Sequence, residues 1–299
     1  MKQASFYELT SQRGMIHLCG KDSLDLLDRL STNKLTDLTS AGMGMGSVLT
    51  TNKGRIIDLI YLYVFQDRIA VTTSFEATQK VIDWLDFYIF TEDVKIKNIS
   101  SDIVYFRIFN PTPLTDLENV MSENMFSVKN GFLEQIPCTF INQRVGNIPC
   151  LDLITNSSNE IKIKDFLSNQ GNEILKKDYE KIRIQAGDPV FNAELSEDYN
   201  PLEAGLKKYV NFNKGCYIGQ EVVARLDTYD KVQRNLVRLS WSGELKGRTL
   251  LYQEKKVGAI TSVSGNIGLG YVHKKALEST KPYLICEGKS VNVEAVLTN

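Results

Sequence analysis

Hydrophobic positions along this chain follow two spacings. Short apolar or alternating runs at residues 15–18, 56–63, 68–73, 237–241, 257–263 and 267–272 suit the two-residue repeat of strands. A spacing of three to four residues links Leu24, Leu27 and Leu30, and links Tyr179, Ile182 and Ala186; Ile82, Leu85 and Ile89 form a third such set, with Phe75 two turns ahead of Ile82. These sets predict helices that turn those side chains inward. The punctuation agrees. Asp22 can cap the first helix, Thr73 and Glu76 have capping-box spacing before the Phe75 helix, and Gly187 with Pro189 ends the helix that carries Tyr179. Asn200, Pro201 and Glu203 read as a further capping box opening a short helix, which by itself accounts for Glu203.

Strands at 94–99 and 103–109, after the Phe75 helix, predict a compact α+β lobe. From about residue 230 the texture becomes alternating strands broken by a Ser264-Gly265-Asn266 turn, which predicts a small all-β terminal domain. A chain of 299 residues is long enough for two or three domains.

Composition narrows the function classes. With 35 basic and 36 acidic side chains there is no overall field to hold nucleic acid or an anionic membrane, so attraction for an anionic ligand has to be local. The cysteines Cys19, Cys138, Cys150, Cys216 and Cys286 are odd in number and scattered, which predicts a reducing compartment. His17 and His273 stand far apart in sequence and no Cys-x-x-Cys occurs, so neither an all-protein zinc site nor a complete iron–sulfur ligand set is expected. The run at 56–65 is too short to span a bilayer and the first residues lack a signal core, so the expectation is a cytoplasmic protein.

Residues 213–225, Asn-Lys-Gly-Cys-Tyr-Ile-Gly-Gln-Glu-Val-Val-Ala-Arg, carry the densest candidate chemistry. Gly215 and Gly219 bracket Cys216 and Tyr217, and the following run has helical spacing, so the thiol is expected just ahead of a helix start. Unpaired N–H groups there, with Lys214 two residues away, would favour a thiolate and an anionic ligand. Gln220, Glu221 and Arg225 crowd the same segment. A structural cysteine in a glycine turn is the competing reading.

Asp58 is costly within its apolar strand unless it faces a pocket or is bonded to neighbouring backbone, and both readings stand. Asn33, in the polar break after the first helix, is either a ligand contact or a helix terminator. The spacing of Gly42-Met-Gly-Met-Gly46 does not continue to the third glycine position that a nucleotide loop requires and no strand clearly precedes it, so the stretch reads as a flexible turn; Gly288-Lys289-Ser290 lacks the leading glycine of a phosphate loop.

Lys214-Gly-Cys-Tyr-Ile-Gly-Gln-Glu221 resembles the signature of the YgfZ family of folate-binding proteins, bacterial relatives of a mitochondrial iron–sulfur assembly factor. The likeness extends to Arg13-Gly-Met-Ile, Thr32-Asn33, Gly54-Arg55-Ile-Ile-Asp58, Arg183 to Pro189, Pro201-Leu-Glu-Ala204 and Gly268-Leu-Gly-Tyr271. The same framework is similar to the T-protein of the glycine cleavage system, an aminomethyltransferase. T-proteins carry paired aspartates where this chain has Asp58-Leu59, and a glutamate where it has Gln185; they also lack the Cys216 signature. These departures favour the YgfZ-like branch, since proton delivery to folate nitrogens needs a placed acid or base.

The resemblance implies an α+β, T-protein-like multidomain fold: two α/β lobes around a central folate cleft, with a C-terminal β-barrel. It places the folate-binding module at residues 1–229, with an inserted α+β lobe at about 50–135, and the barrel at 230–299. It also implies tetrahydrofolate or a derivative as cofactor. Glu203 or Glu221 would accept from pterin N–H groups, Tyr217 or Phe212 would stack on a ring, and Arg55, Arg183 or Arg225 would meet the tail carboxylates. Cys216 would serve as a redox-sensitive or nucleophilic thiol in maturation or repair of iron–sulfur enzymes, including tRNA-modifying ones, with client or assembly proteins as partners. The alternatives are a one-carbon transferase using Asp58 as acid or base, and a non-catalytic folate sensor or scaffold.

Overall fold

The computed structural model of the protein describes residues 4–111, 124–278 and 283–298. In chain order the first elements are strands β1 (Ala4–Glu8) and β2 (Arg13–Cys19), helix α1 (Ser23–Leu30), and strands β3 (Gly44–Thr50), β4 (Ile56–Val64) and β5 (Ile69–Ser74). Helix α2 (Thr78–Asp86) follows, then β6 (Lys95–Asn98), β7 (Ile103–Phe109), β8 (Val128–Leu133), β9 (Ile136–Val145) and β10 (Ile148–Asn156). Next come α3 (Glu160–Gln170), β11 (Gly171–Glu173), α4 (Lys176–Ala186) and α5 (Gln220–Thr228). The last strands are β12 (Arg234–Trp241), β13 (Thr249–Tyr252), β14 (Lys255–Ser264), β15 (Ile267–His273), β16 (Leu284–Cys286) and β17 (Lys289–Val296), with a short helix α6 (Lys274–Leu277) between β15 and β16.

These strands make two sheets and a barrel. One sheet runs β3-β4-β5-β2-β6, a second runs β11-β1-β7-β10-β9-β8, and β12-β15-β14-β13-β16-β17 close on themselves. The first sheet therefore takes in residues 13–98, beginning ahead of residue 50, while β8 belongs to the other sheet.

Strand alternation explains the layering. Met15, Leu59, Tyr61 and Tyr63 lie on one face of the first sheet and meet Tyr105, Phe109 and Ile141 of the second. Ile16, Leu18, Ile60 and Leu62, on the opposite face, bury against Leu26, Leu27 and Leu30 of α1 and Val81 and Leu85 of α2. The second sheet's other face packs under Ile163, Phe166 and Leu167 of α3. Inside the barrel Val237, Leu239 and Trp241 alternate inward, the two-residue period seen in the sequence.

Some local expectations change. Asp22 precedes α1, but its carboxylate accepts from the Asp93 amide instead of capping the helix. The Thr73–Glu76 box does not form: Thr73 pairs with the Thr78 hydroxyl, Glu76 accepts from Asn192, and Phe75 stays 45% exposed. Residues 42–46 are not a flexible turn throughout, since β3 begins at Gly44. Gly46 is required because a Cβ there would lie 2.5 Å from the Tyr209 ring. Among the described residues no helix is long and apolar enough to cross a membrane, and no cluster of three His, Cys, Asp or Glu could hold a metal ion.

Candidate functional site

Two hollows meet between the sheets, α4 and the barrel. One, of about 310 Å³, is bounded by Tyr7, Phe75, Tyr179 and Arg183. The other, of about 360 Å³, is bounded by Tyr61, Gln143, Gln185 and Arg238. Arg13, Leu59, Asp188 and Pro189 line both, so the hollows form one cleft with a shared waist.

The waist is built by strand alternation and a helix end. Arg13 opens β2 two residues before Met15 and on its face; Leu59 and Tyr61 share the inner face of β4, and Ile57 and Ile60 turn to the other side. Gly187 ends α4 with a φ of 72°, a left-handed conformation that glycine adopts without strain, and delivers Asp188 to the waist. The Asp188 amide donates to the Arg183 carbonyl at 2.9 Å, and its own carbonyl accepts from Arg183 Nη1 at 3.2 Å.

Five arginines line this cleft, Arg13 among them: Arg144 is exposed, Arg238 donates to the Gln185 carbonyl, and Arg107 and Arg183 are committed to buried protein partners. Arg107 grips Asp152 with Nε and Nη2, each at 2.7 Å, while the Tyr105 hydroxyl donates to the same carboxylate. Its Nη1 lies 3.3 Å from the Tyr179 hydroxyl, and the Tyr179 ring stacks on Tyr7 with centroids 4.1 Å apart. Arg183 binds Glu180 at 2.6 Å and Ser262 at 2.8 Å, with Glu194 at 3.6 Å. Among the described residues the Arg13 guanidinium has the Tyr61 ring as its neighbour, 5.7 Å from the guanidinium carbon, and no hydrogen-bonding or ion-pairing partner. Burial pushes the Tyr61 hydroxyl up to about 12, so it is a neutral donor at physiological pH.

Of the residues expected from the sequence to be catalytic or to bind the cofactor, Arg183 lines the cleft and the others do not; Gln185, where T-proteins carry a glutamate, also lines it. Asp58 is fully buried one layer behind the wall, where it accepts from the Ser74 amide at 2.7 Å and the Ser74 hydroxyl at 2.8 Å. Burial pushes its carboxyl up to about 6, against the lowering effect of the Ser74 bonds. The bonded-carboxylate reading of Asp58 thus fits its surroundings, and Leu59 holds the cleft-facing place.

The Cys216 segment lines neither hollow of the cleft. Cys216 is exposed, and α5 begins four residues later after Gly219, whose φ of 87° and close approach to the Thr51 carbonyl exclude a side chain. The Lys214 ammonium is spent on backbone: it donates to the carbonyls of Asp28, Ser31 and Asn33. Tyr217 is buried beneath that ammonium, 5.5 Å from ring centroid to Nζ, and burial pushes its hydroxyl up to about 12. Gln220 is half-buried at the start of α5, and Glu221 and Arg225 are exposed on that helix.

The other predicted contacts serve the framework. Asn33 donates to the Gly46 carbonyl at 2.8 Å and accepts from the Lys34 amide. Phe212 packs with Leu202, Val210 and Val223, and Lys207 sits 5.6 Å above its ring. Glu203 accepts from the Asn200 amide at 3.2 Å while Asn200 accepts from the Leu202 and Glu203 amides, a capping box closing a turn instead of a helix. Arg234 at 3.3 Å and Arg55 at 3.7 Å complete its surroundings.

A larger hollow of about 580 Å³ lies between the sheets beside Tyr63, Phe65 and Phe132, with a mainly apolar lining. Aromatic faces and charges of both signs converge in the central cleft, which makes it the stronger binding site. Arg13, Leu59, Tyr61 and Asp188 were given no site role from sequence, although Arg13, Leu59 and Asp188 stand in motifs used for the resemblance. The available signals were a single cation opening an apolar strand at Arg13 and an acid set between Gly187 and Pro189.

The GCVT N-terminal domain model matches residues 2–214. The chain belongs to the GCVT family. Within that family, a chloroplastic candidate transferase of Arabidopsis thaliana is 30% identical over 280 residues, covering 89% of this chain and 65% of that protein. The chain thus spans just under two thirds of that relative's length. An aminomethyltransferase of Thermotoga neapolitana is 24% identical over 306 residues, covering 96% of this chain and 83% of the enzyme. The crystal structure of the glycine cleavage system aminomethyltransferase T from Bartonella henselae superposes with a TM-score of 0.83 at 16% identity, covering 99% of this chain and 86% of that one. The GCVT-family chain therefore has the expected T-protein fold, closed barrel included.

Proposed function

We propose that this GCVT-family protein binds a reduced folate, tetrahydrofolate or a derivative, in the central cleft. With folate bound, it supports assembly or repair of iron–sulfur enzymes, tRNA-modifying ones among them, through the thiol of Cys216. The observation that carries the folate half is the cleft's waist, where a free cation, a carboxylate and aromatic faces converge. A reduced pterin offers a flat ring with N–H donors, and its tail offers carboxylates. Asp188 and Glu180 suit the donors, the tyrosines suit the rings, and Arg13 suits an anion.

The iron–sulfur half rests on the resemblance of residues 214–221 to the YgfZ signature and on the exposure of Cys216. A complementation assay tests it: Cys216→Ser retains folate binding and loses support of iron–sulfur enzyme activity. Full activity in that variant removes the thiol role.

A one-carbon transferase is the second reading, favoured by relatives named aminomethyltransferases and by the Asp188 carboxylate at the waist. Leu59 counts against it, because an isobutyl group cannot move a proton where the T-proteins it resembles carry an aspartate. Turnover of an aminomethyl-lipoyl carrier with tetrahydrofolate would establish transfer; an inactive carrier assay leaves the binding role.

A further inference from the structure

Among the arginines lining the cleft, Arg13 is the half-buried one that the described residues leave without a hydrogen-bonding or ion-pairing partner for its guanidinium; Arg144, on the wall of the second hollow, is exposed to solvent, and Arg238 donates to the Gln185 carbonyl. Arg107 and Arg183, beside it in the same cleft, are held by Asp152 and by Glu180 with Ser262. Arg13 stands where both hollows meet, half-buried, with an aromatic ring as its neighbour. A lysine could shed its proton in such a place, but a guanidinium keeps its charge. In the open cleft, water can solvate that charge. Any ligand filling the waist displaces this water and has to replace its acceptors, or the cation is stranded at a large desolvation cost.

We propose that Arg13 is the specificity-determining residue of the cleft and receives a carboxylate of the ligand, with two parallel N–H···O bonds from its planar fork. This rests on the folate reading, in which that carboxylate belongs to the glutamate tail. Ligands without a carboxylate gain nothing from Arg13, so the residue separates folates from simple pterins. Because Arg13 supports no protein partner, its removal leaves the unliganded fold intact.

Calorimetric titration of wild type, Arg13→Lys and Arg13→Gln against three ligands tests the proposal. The ligands are tetrahydrofolate, its tail fragment p-aminobenzoylglutamate, and a reduced pterin without a carboxylate. Arg13→Gln should weaken tetrahydrofolate and the tail fragment by about tenfold to hundredfold, the range for a lost charge-assisted bond, and leave the pterin unchanged. Arg13→Lys should fall between, since it keeps the charge and loses the fork. The melting temperature of unliganded Arg13→Gln should equal or exceed that of wild type.

Equal tetrahydrofolate affinity in wild type and Arg13→Gln overturns the role of Arg13 and leaves the folate reading standing. Tail-fragment binding that depends on Arg13, without binding of whole tetrahydrofolate, overturns the folate reading and keeps Arg13 as a carboxylate site. A wild type that binds none of the three overturns both. Loss of all three ligands together with a lowered melting temperature shows Arg13 to be structural and overturns the proposal.

Discussion

The ammonium of Lys214 lies 3.3 Å from the Asp28 carboxylate, and its three donors are spent on the carbonyls of Asp28, Ser31 and Asn33 at 2.6, 3.0 and 2.7 Å. That arrangement ties the 213–219 turn to the C-terminal end of α1. It also removes Lys214 from the group of side chains that could bind a ligand, since a buried ammonium has three donors and no more. Lys214→Met leaves the carbonyls and Asp28 without their cation and should cost about 2–5 kcal/mol of stability. Chemical denaturation checks this as a fall in the midpoint.

The thiols should divide by exposure. Cys19 and Cys216 are exposed, whereas Cys138, Cys150 and Cys286 are buried. Burial pushes the Cys138 thiol up to about 11 and that of Cys150 up to about 12, which keeps both protonated and unreactive near neutral pH. Brief alkylation of native protein, followed by peptide mass analysis, should label Cys19 and Cys216 first.

Asp58 should make the fold lose stability as pH rises through the weakly acidic range. Burial lifts its carboxyl from 3.8 to about 6, so the folded state holds a proton that the unfolded chain has released. Stability from this group is present below about pH 4 and is lost as pH rises through about 6. Asp58→Asn can keep both Ser74 contacts, its oxygen accepting from the amide and its NH₂ donating to the hydroxyl. Compared with Asp58→Asn, wild type should lose on the order of 3 kcal/mol between about pH 4 and pH 7, measured by denaturation across that range.

Arg107 and Asp152 are buried partners on neighbouring strands β7 and β10. Removing one strands the other, so Arg107→Gln or Asp152→Asn should destabilise by about 3–5 kcal/mol. Replacing both with apolar residues should cost much less. A double-mutant cycle read by thermal melting checks both statements, and any loss of ligand binding should follow the loss of Tyr179 positioning.

Much of the framework was legible in the chain. The apolar spacing marked α1 through Leu27 and Leu30, and Gly187 marked the end of α4. The period-two strands marked the barrel, because each small amphipathic element writes its buried face into its own sequence. The cleft was less legible because its walls come from positions far apart in the chain, Arg13, Leu59 and Asp188 among them. Nothing local distinguishes Leu59 from a core leucine. Conversely, residues 213–225 are locally conspicuous, but part of that character is structural: Lys214 fastens a turn and Gly219 allows a close backbone approach. The Thr73–Glu76 spacing failed as a cap because a 3₁₀ turn over Phe75–Ala77 intervenes before α2.

The most direct test of the central claim is calorimetric titration of tetrahydrofolate into wild type, Leu59→Trp and Cys216→Ser. A Trp at position 59 fills the waist without touching the 213–225 segment, so binding should be seen in wild type and Cys216→Ser and abolished in Leu59→Trp. Binding that survives Leu59→Trp and disappears in Cys216→Ser would contradict the account, as would a wild type that takes up no folate.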